Sequence, residues 1–201
     1  MSINLSKGQK INLSKEQAGL RRVMVGLGWD EVQEAPKGFF ASMFSAPKQD
    51  IDCDASAFLI SQGKIYGGGD VVYFGNLTHG TNCVVHQGDN LTGAGDGDDE
   101  QIFVDLQRVP QNIAKIVFVV NIYDANVRRQ HFGLIRNAFI RLVDCNSNTE
   151  ICRYNLSENY DGMTGLIVGE MYRYNGEWKF NAIGQPVREA SRINNLCEMY
   201  L

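Results

Sequence analysis

Apolar and polar residues alternate over short stretches along most of the chain, and turn-forming residues separate these stretches. Such alternation is typical of strands with one buried face, because successive side chains of a strand point to opposite faces. Many stretches are rich in β-branched and aromatic residues, which favour sheets. Strands are predicted at residues 22–27, 55–60, 70–74, 83–86, 102–106, 115–123, 138–143, 151–156, 164–174 and 177–183. The pattern therefore predicts a mainly β protein built as an antiparallel β-sandwich.

The two ends of the chain carry different patterns. The pentapeptide Ile-Asn-Leu-Ser-Lys occurs at residues 3–7 and again at 11–15, with Gly8 between the copies, which predicts a two-stranded ribbon at a sheet edge. Near the other end, four apolar residues have helical spacing and predict a short C-terminal helix docked on a sheet. These are Ile193, Leu196, Cys197 and Tyr200. Because no linker-like run divides the chain, we expect a single domain over residues 1–201.

Composition narrows the class of protein. Of the 201 residues, 44% are hydrophobic and 21% are charged, which is ordinary for a soluble globular protein. No run approaches the roughly 18 to 20 apolar residues of a membrane span, and residues 1–15 lack the apolar core of a signal peptide. We therefore expect a cytoplasmic protein. The five cysteines are odd in number and contain no Cys-x-x-Cys pair, so we expect thiols rather than disulfides or a zinc site.

The negative charge of the chain is concentrated in residues 88–100. This loop has four glycines, no Lys or Arg, and five carboxylates at Asp89, Asp96, Asp98, Asp99 and Glu100. Since the chain has 23 acidic and 19 basic residues in total, the remainder carries 18 acids against 19 bases. Crowded carboxylates repel one another unless a cation lies between them, and calcium accepts six to eight oxygen ligands in flexible geometry. Calcium binding is the first hypothesis for this loop.

The loop does not match the EF-hand motif. Counted from Asp89, the twelfth residue is Glu100, but Ala94 stands where that motif requires glycine. The alternative interpretation is a solvated acidic turn, as most charge runs are. Spaced glycines and the additional oxygens of Asn90 and Thr92 favour the metal site, because a solubilising run requires neither.

Three carboxylates outside the loop are positioned to contribute to the same metal site. Asp52 and Asp54 are two residues apart at the entry of a predicted strand, so both are expected on one face. Asp30 follows another predicted strand. Strand-end acids are often only turn formers, but here they predict an acidic cluster at one rim of the sandwich.

An apolar cluster lies inside a predicted loop at residues 31–50. It comprises Phe39, Phe40, Met43 and Phe44, between Pro36 and Pro47. The simpler interpretation is a lid over the core. The alternative is an exposed patch for a partner or a membrane surface.

Six motifs, in order over nearly the whole chain, resemble the TerD family of bacterial stress proteins associated with tellurium resistance. The motifs are Gly26-Leu-Gly-Trp-Asp30, Asp52-Cys-Asp-Ala-Ser-Ala57, the run at residues 86–100, Asn137-Ala-Phe-Ile-Arg-Leu142, Arg153-Tyr-Asn-Leu-Ser157 and Gly176-Glu-Trp-Lys-Phe180. The long acidic run is the most specific of them. The segment at residues 39–44 departs from the short polar loop of many members.

The resemblance implies a cytoplasmic, calcium-binding β-sandwich without known catalytic activity, associated with resistance to tellurite and other chemical stresses. It also implies action at the inner face of the membrane with other products of a tellurium-resistance operon. We expect two calcium ions as the cofactor, a membrane protein among the partners, membrane contact that is at most peripheral, and no nucleic acid. Carried over by match, the calcium ligands are Asp89, Asn90, Thr92, Asp96, Asp98, Asp99 and Glu100, with Asp52, Asp54 and Asp30 adjoining.

Two alternative functions are kept. A nucleotide-binding module would use the basic residues Arg128, Arg129, His131, Arg136 and Arg141 to pair with phosphates. A calcium-assisted hydrolase would need open metal positions for a substrate. Against an enzyme, the three histidines stand alone and no motif frames a nucleophile. His86, just ahead of the acidic loop, is expected to be a hydrogen-bonded structural residue.

Overall fold

The computed structural model describes residues 2–31, 50–88 and 97–201, and within them two six-stranded sheets. In spatial order, the first sheet contains β1 (Ile3–Leu5), β10 (Thr149–Asn155), β9 (Ile135–Asp144), β3 (Arg22–Glu31), β7 (Glu100–Asp105) and β6 (Val84–His86). The second contains β2 (Lys10–Asn12), β12 (Glu177–Val187), β11 (Gly165–Tyr174), β8 (Lys115–Ile122), β4 (Cys53–Ile60) and β5 (Val71–Val72). Of the strand pairs described, only β1 and β10 are parallel. The predicted antiparallel sandwich is confirmed.

The predicted ribbon at the N-terminus is wrong. β1 pairs with β10 in the first sheet, whereas β2 pairs with β12 in the second. The chain crosses between the sheets at Gly8, which has a φ of 77° and donates its N–H to the carbonyl of Ala182. Pairing with one long strand in each sheet buries both Leu5 and Ile11 in the common core. A ribbon of the two repeats alone would leave much of this apolar area in water.

The main core lies between the sheets, and a second apolar layer lies outside the second sheet. In β8, Ile116 and Phe118 belong to the main core, while Val117 and Val119 belong to the outer layer. This explains the nearly continuous apolar run of that strand. The outer layer is covered by α3 (Ile193–Cys197), followed by a 3₁₀ turn at Glu198–Tyr200. The predicted docked C-terminal helix is confirmed.

Asp30, Asp52, Asp54, Asp98, Asp99 and Glu100 lie at one end of the sandwich, which we call the acidic end. β3 and β8 finish there, and β4 and β7 begin there, as the pairs Leu27 with Glu100 and Asp54 with Asn121 indicate. The other α-helices within the described residues are α1 (Leu13–Glu16) and α2 (Ala125–Arg128), and α2 follows β8 at the acidic end. Short 3₁₀ turns lie at Gly68–Asp70 and Phe132–Leu134. All five cysteines are free thiols, as expected. None of the helices described is long and apolar enough to cross a membrane.

Candidate metal centre at the acidic end

Asp52 and Asp54 lie at the start of β4, as predicted. Asp54 is buried, with Oδ2 3.5 Å from the amide nitrogen of Asn121. Asp52 is mostly buried, and its Oδ2 lies 3.3 Å from a guanidinium nitrogen of Arg128. The other oxygen of Asp52, Oδ1, is shielded from solvent and accepts no hydrogen bond from a described residue. A carboxylate oxygen in this state is available to a cation, because an unsatisfied buried acceptor is costly.

Glu100 connects the two sheets. Its side chain is buried, and Oε2 accepts a hydrogen bond of 2.8 Å from the backbone N–H of Ala55 in β4. His86 Nε2 lies 3.2 Å from the same oxygen and 3.1 Å from the Ala55 carbonyl. Because Gly88 N–H donates to His86 Nδ1, the imidazole carries its proton on Nε2 and donates from there. His86 is therefore a hydrogen-bonded structural residue, as expected from the sequence.

Four carboxylates lie near enough to the buried Cys53 to affect its thiol. Burial raises the pKa of its thiol well above the usual value, and the negative charges of Asp54, Glu100, Asp52 and Glu31 raise it further, in that order. Glu31 was not among the predicted site residues, although its position next to Asp30 was a usable signal. Its carboxylate accepts a hydrogen bond from the backbone N–H of Ile51. Cys53 is therefore a neutral thiol.

Asp30 and Asp99 form a second acidic group nearer to solvent. Asp99 Oδ2 accepts a hydrogen bond of 2.7 Å from the backbone N–H of Trp29. Burial raises the pKa of Asp99; the Trp29 hydrogen bond opposes this shift, and the charges of Asp30 and Asp98 add to it. Asp30 is exposed, and its Oδ2 accepts a hydrogen bond of 2.7 Å from the Asn137 amide. A cation between these carboxylates would relieve their repulsion.

Asp98 is paired with Arg141, one of the basic residues considered for nucleotide binding. Its two carboxylate oxygens accept hydrogen bonds of 2.7 and 2.9 Å from Arg141 of β9. Arg141 also contacts Glu150 at 3.3 Å, and these acidic partners raise its pKa. The contact gives Asp98 a structural role, and its role as a calcium ligand stays a prediction.

The Gly-Leu-Gly motif of β3 makes room for this arrangement. A Cβ at Gly26 would lie 2.3 Å from the Asp98 carboxylate, and one at Gly28 would lie 2.6 Å from the carbonyl oxygen of Gly97. Such distances are not found for real side chains. Glycine is therefore required at both positions for the residues before β7 to pass over β3.

The carboxylates described at the acidic end offer oxygen ligands, which suit calcium. Asp52, Asp54 and Glu100 all act on the Cys53 thiol, whereas Asp30 acts on Asp99. The predicted ligands Asp89, Asn90, Thr92 and Asp96, and the apolar segment at residues 39–44, lie outside the described residues. Within the described ranges, no group of three or more His, Cys, Asp or Glu side chains could hold a metal alone. A complete coordination sphere would therefore need oxygens of the acidic loop.

Three of the basic residues considered for nucleotide binding contact carboxylates. Arg128 contacts Asp52 and lies over the ring of Tyr123, and Arg141 contacts Asp98 and Glu150. His131 Nδ1 lies 3.2 Å from Asp161 Oδ1. These contacts to carboxylates disfavour a shared phosphate site.

The fold and the site define a β-sandwich protein with carboxylates concentrated at one end. Comparison with known proteins identifies its family. The TerD domain model matches residues 1–200. The chain therefore belongs to the TerD family, as its motifs indicated.

Relatives over the full length support this assignment. Stress response protein SCP2 of Bacillus subtilis (strain 168) is 49% identical over 201 residues, covering all of both chains. Tellurium resistance protein TerD of Serratia marcescens is 46% identical, covering all of this chain and 97% of the relative. A crystal structure of a homologue of the telluride resistance protein TerD from Streptomyces coelicolor A3(2) matches with a TM-score of 0.60 at 22% identity, over 84% of this chain and 90% of that one. This last likeness concerns the fold alone.

Proposed function

We propose that this protein is a non-catalytic, calcium-binding module of the bacterial stress response that contributes to tellurite and chemical-stress resistance. The observation that carries the proposal is the set of carboxylates that act on the buried Cys53 at the acidic end, which are Glu31, Asp52, Asp54 and Glu100. The names of the full-length relatives, a stress response protein and a tellurium resistance protein, support the biological role.

Calcium would be held by oxygens of two sources. Asp52, with its unsatisfied Oδ1, and the pair Asp30 and Asp99 are the described residues best placed to contribute. Asp89, Asn90, Thr92 and Asp96 of the loop would add the remaining oxygens. The ions, two by our proposal, would neutralise the local negative charge and connect the loop to the ends of the strands.

The module would act by binding partners in the cytoplasm or at the inner face of the membrane. We propose other products of a tellurium-resistance operon and a membrane protein as those partners. Calcium would promote the binding of these partners only if it binds more tightly to the conformation of the acidic end that binds a partner than to the other conformation. Neither a hydrolase nor a nucleotide-binding module gains a specific supporting observation.

Thermal unfolding tests calcium binding. Calcium at a hundredfold excess over its Kd would stabilise the native state by about 2.7 kcal/mol, if only that state binds. The melting temperature should therefore fall when a chelator replaces calcium, and magnesium should restore little, because it requires near-octahedral geometry. Identical melts in calcium and in chelator would exclude the proposed site.

A complementation assay tests the biological role. A strain lacking the gene should regain tellurite resistance with the wild-type chain but not with Asp52→Asn. The matched control is Asp105→Asn, at the far end of β7, where the carboxylate contacts Arg108 at 3.3 Å. Equal resistance with both variants would separate resistance from calcium binding and refute this mechanism.

A further inference from the structure

A cavity of about 310 Å³ lies between the turn that precedes β5 and the C-terminal helix. Its wall is made mainly of Ile65, Val71, Tyr73, Ile193 and Cys197. No Asp, Glu, Lys, Arg or His side chain of the described residues lines it. None of its residues belongs to the acidic end, so the proposed calcium site does not explain it.

Three consecutive glycines, Gly67, Gly68 and Gly69, stand beside this cavity, and the fold does not require them. A Cβ at any of the three would meet no atom within 4 Å, and none has a φ in the left-handed region. Gly67 has an extended backbone, with φ −172° and ψ 170°, that any residue adopts. Glycine at such positions lowers stability, because it adds conformational freedom to the unfolded chain. Gly67 and Gly68 line the cavity.

Two large side chains at the mouth of the cavity, one aromatic and one aliphatic, are exposed to solvent. Tyr66 and Leu201 line it and are 63% and 69% exposed. The wall is fixed on both sides, because Ile65 N–H donates to the Tyr200 carbonyl and Asn76 donates its amide to the Val71 carbonyl. A preformed apolar cavity with an open mouth is typical of a small-molecule site, and this volume is at the lower end of the usual range.

We propose that this cavity binds a small uncharged molecule with an aromatic or branched aliphatic body. An anion would lose its hydration there without gaining a basic side chain as partner, which disfavours anionic ligands such as benzoate. Asn194 adds an uncharged polar side chain to the wall. Aromatic edges of the two tyrosines and the neutral thiol of Cys197 suit a ring.

Amide NMR spectra of the ¹⁵N-labelled protein, titrated with three probes, test the site. Two are uncharged rings, p-cresol and indole, and benzoate is the matched charged probe. Saturable shifts are expected with both uncharged rings at residues 65–73 and 193–201, and none with benzoate at the same concentrations. Benzoate binding of equal strength, or shifts that do not saturate, would overturn the assignment.

Two glycine variants make the test specific. Gly67→Val should fill the cavity and weaken p-cresol binding by about tenfold or more, as losing one apolar contact does. Gly69→Val, outside the lining, should bind as wild type does. Both should melt no lower than wild type, which separates a filled cavity from a damaged fold. Unchanged affinity in Gly67→Val would refute the site, as would a preference for decanol over both rings, which would indicate a lipid chain.

Discussion

Asp98 and Arg141 form a bidentate ion pair directly above Gly26, across the outer face of the first sheet. The Asp98 side chain is 1% exposed and the Arg141 side chain 29% exposed. The pair connects the start of β7 to β9 at the acidic end. Removing either partner would leave a buried charge uncompensated, which is costly.

Arg141→Met should destabilise the fold by about 3 kcal/mol, at the lower end for buried pairs because the guanidinium is partly exposed. Adding Asp98→Asn should recover part of the loss, since the unpaired charge is then removed. Urea unfolding in chelator measures both. Arg108→Met is the control: its pair with Asp105 is exposed and should contribute less than about 1 kcal/mol. Equal losses in the two arginine variants would show that burial of Asp98 is unimportant.

His86→Leu should cost about 2 to 3 kcal/mol, because the Ala55 carbonyl and the Glu100 carboxylate both lose a buried donor. The comparison is His131→Leu, at a histidine whose side chain is 31% exposed, for which less than about 1 kcal/mol is expected. Denaturant midpoints report the difference. If His86→Leu left the free energy of unfolding unchanged, other groups would have to satisfy the Ala55 carbonyl and the Glu100 carboxylate.

The raised pKa of Asp99 gives a pH dependence of definite sign. A carboxyl with a raised folded-state pKa is a stability penalty when ionised, so the penalty is complete above that pKa and is relieved as the pH falls through it. Asp99→Asn should therefore stabilise the calcium-free protein at neutral pH, and the gain should shrink toward acid pH. In saturating calcium the order should reverse, because the wild-type carboxylate would then bind the ion. Thermal unfolding across pH, in chelator and in calcium, measures these differences. A variant that is less stable than wild type both in chelator and in calcium would contradict the prediction.

Leu196→Ala should cost about 3 kcal/mol, because Leu196 is fully buried in the layer between α3 and the second sheet. Met199→Ala, in the following turn, should change stability by less than about 0.5 kcal/mol, since its side chain is 46% exposed. Equilibrium unfolding of the two variants shows whether the helix belongs to the cooperative fold. Similar small effects would mean that it does not.

The sandwich could be predicted because each strand carries its own alternation, and turn residues separate the strands. The apolar run of β8 was recognisable as a strand, but its burial on both faces depends on α3. The pairing of the N-terminal repeats could not be predicted. Their alternation determines which side chains face the core, such as Leu5 and Ile11, but not which strand they pair with.

The acidic end could be predicted only in part. Asp52, Asp54 and Asp30 stand at strand ends, and strand ends on one rim bring such residues together. The partner of Asp98 could not be foreseen, because Arg141 lies 43 residues away and meets it only through the register of β9 on β3. The contact of Glu100 with Ala55 likewise depends on how the two sheets are stacked.

Calorimetric titration with calcium tests the central claim most directly, using the wild type, Asp52→Asn, Asp99→Asn and Asp105→Asn. The wild type and Asp105→Asn should bind calcium saturably with the same affinity, because Asp105 lies at the other end of β7. Asp52→Asn and Asp99→Asn should each lose about tenfold or more, the effect of about 1.4 kcal/mol in binding free energy. No saturable binding by the wild type, or one affinity shared by all four proteins, would contradict a calcium site at the acidic end.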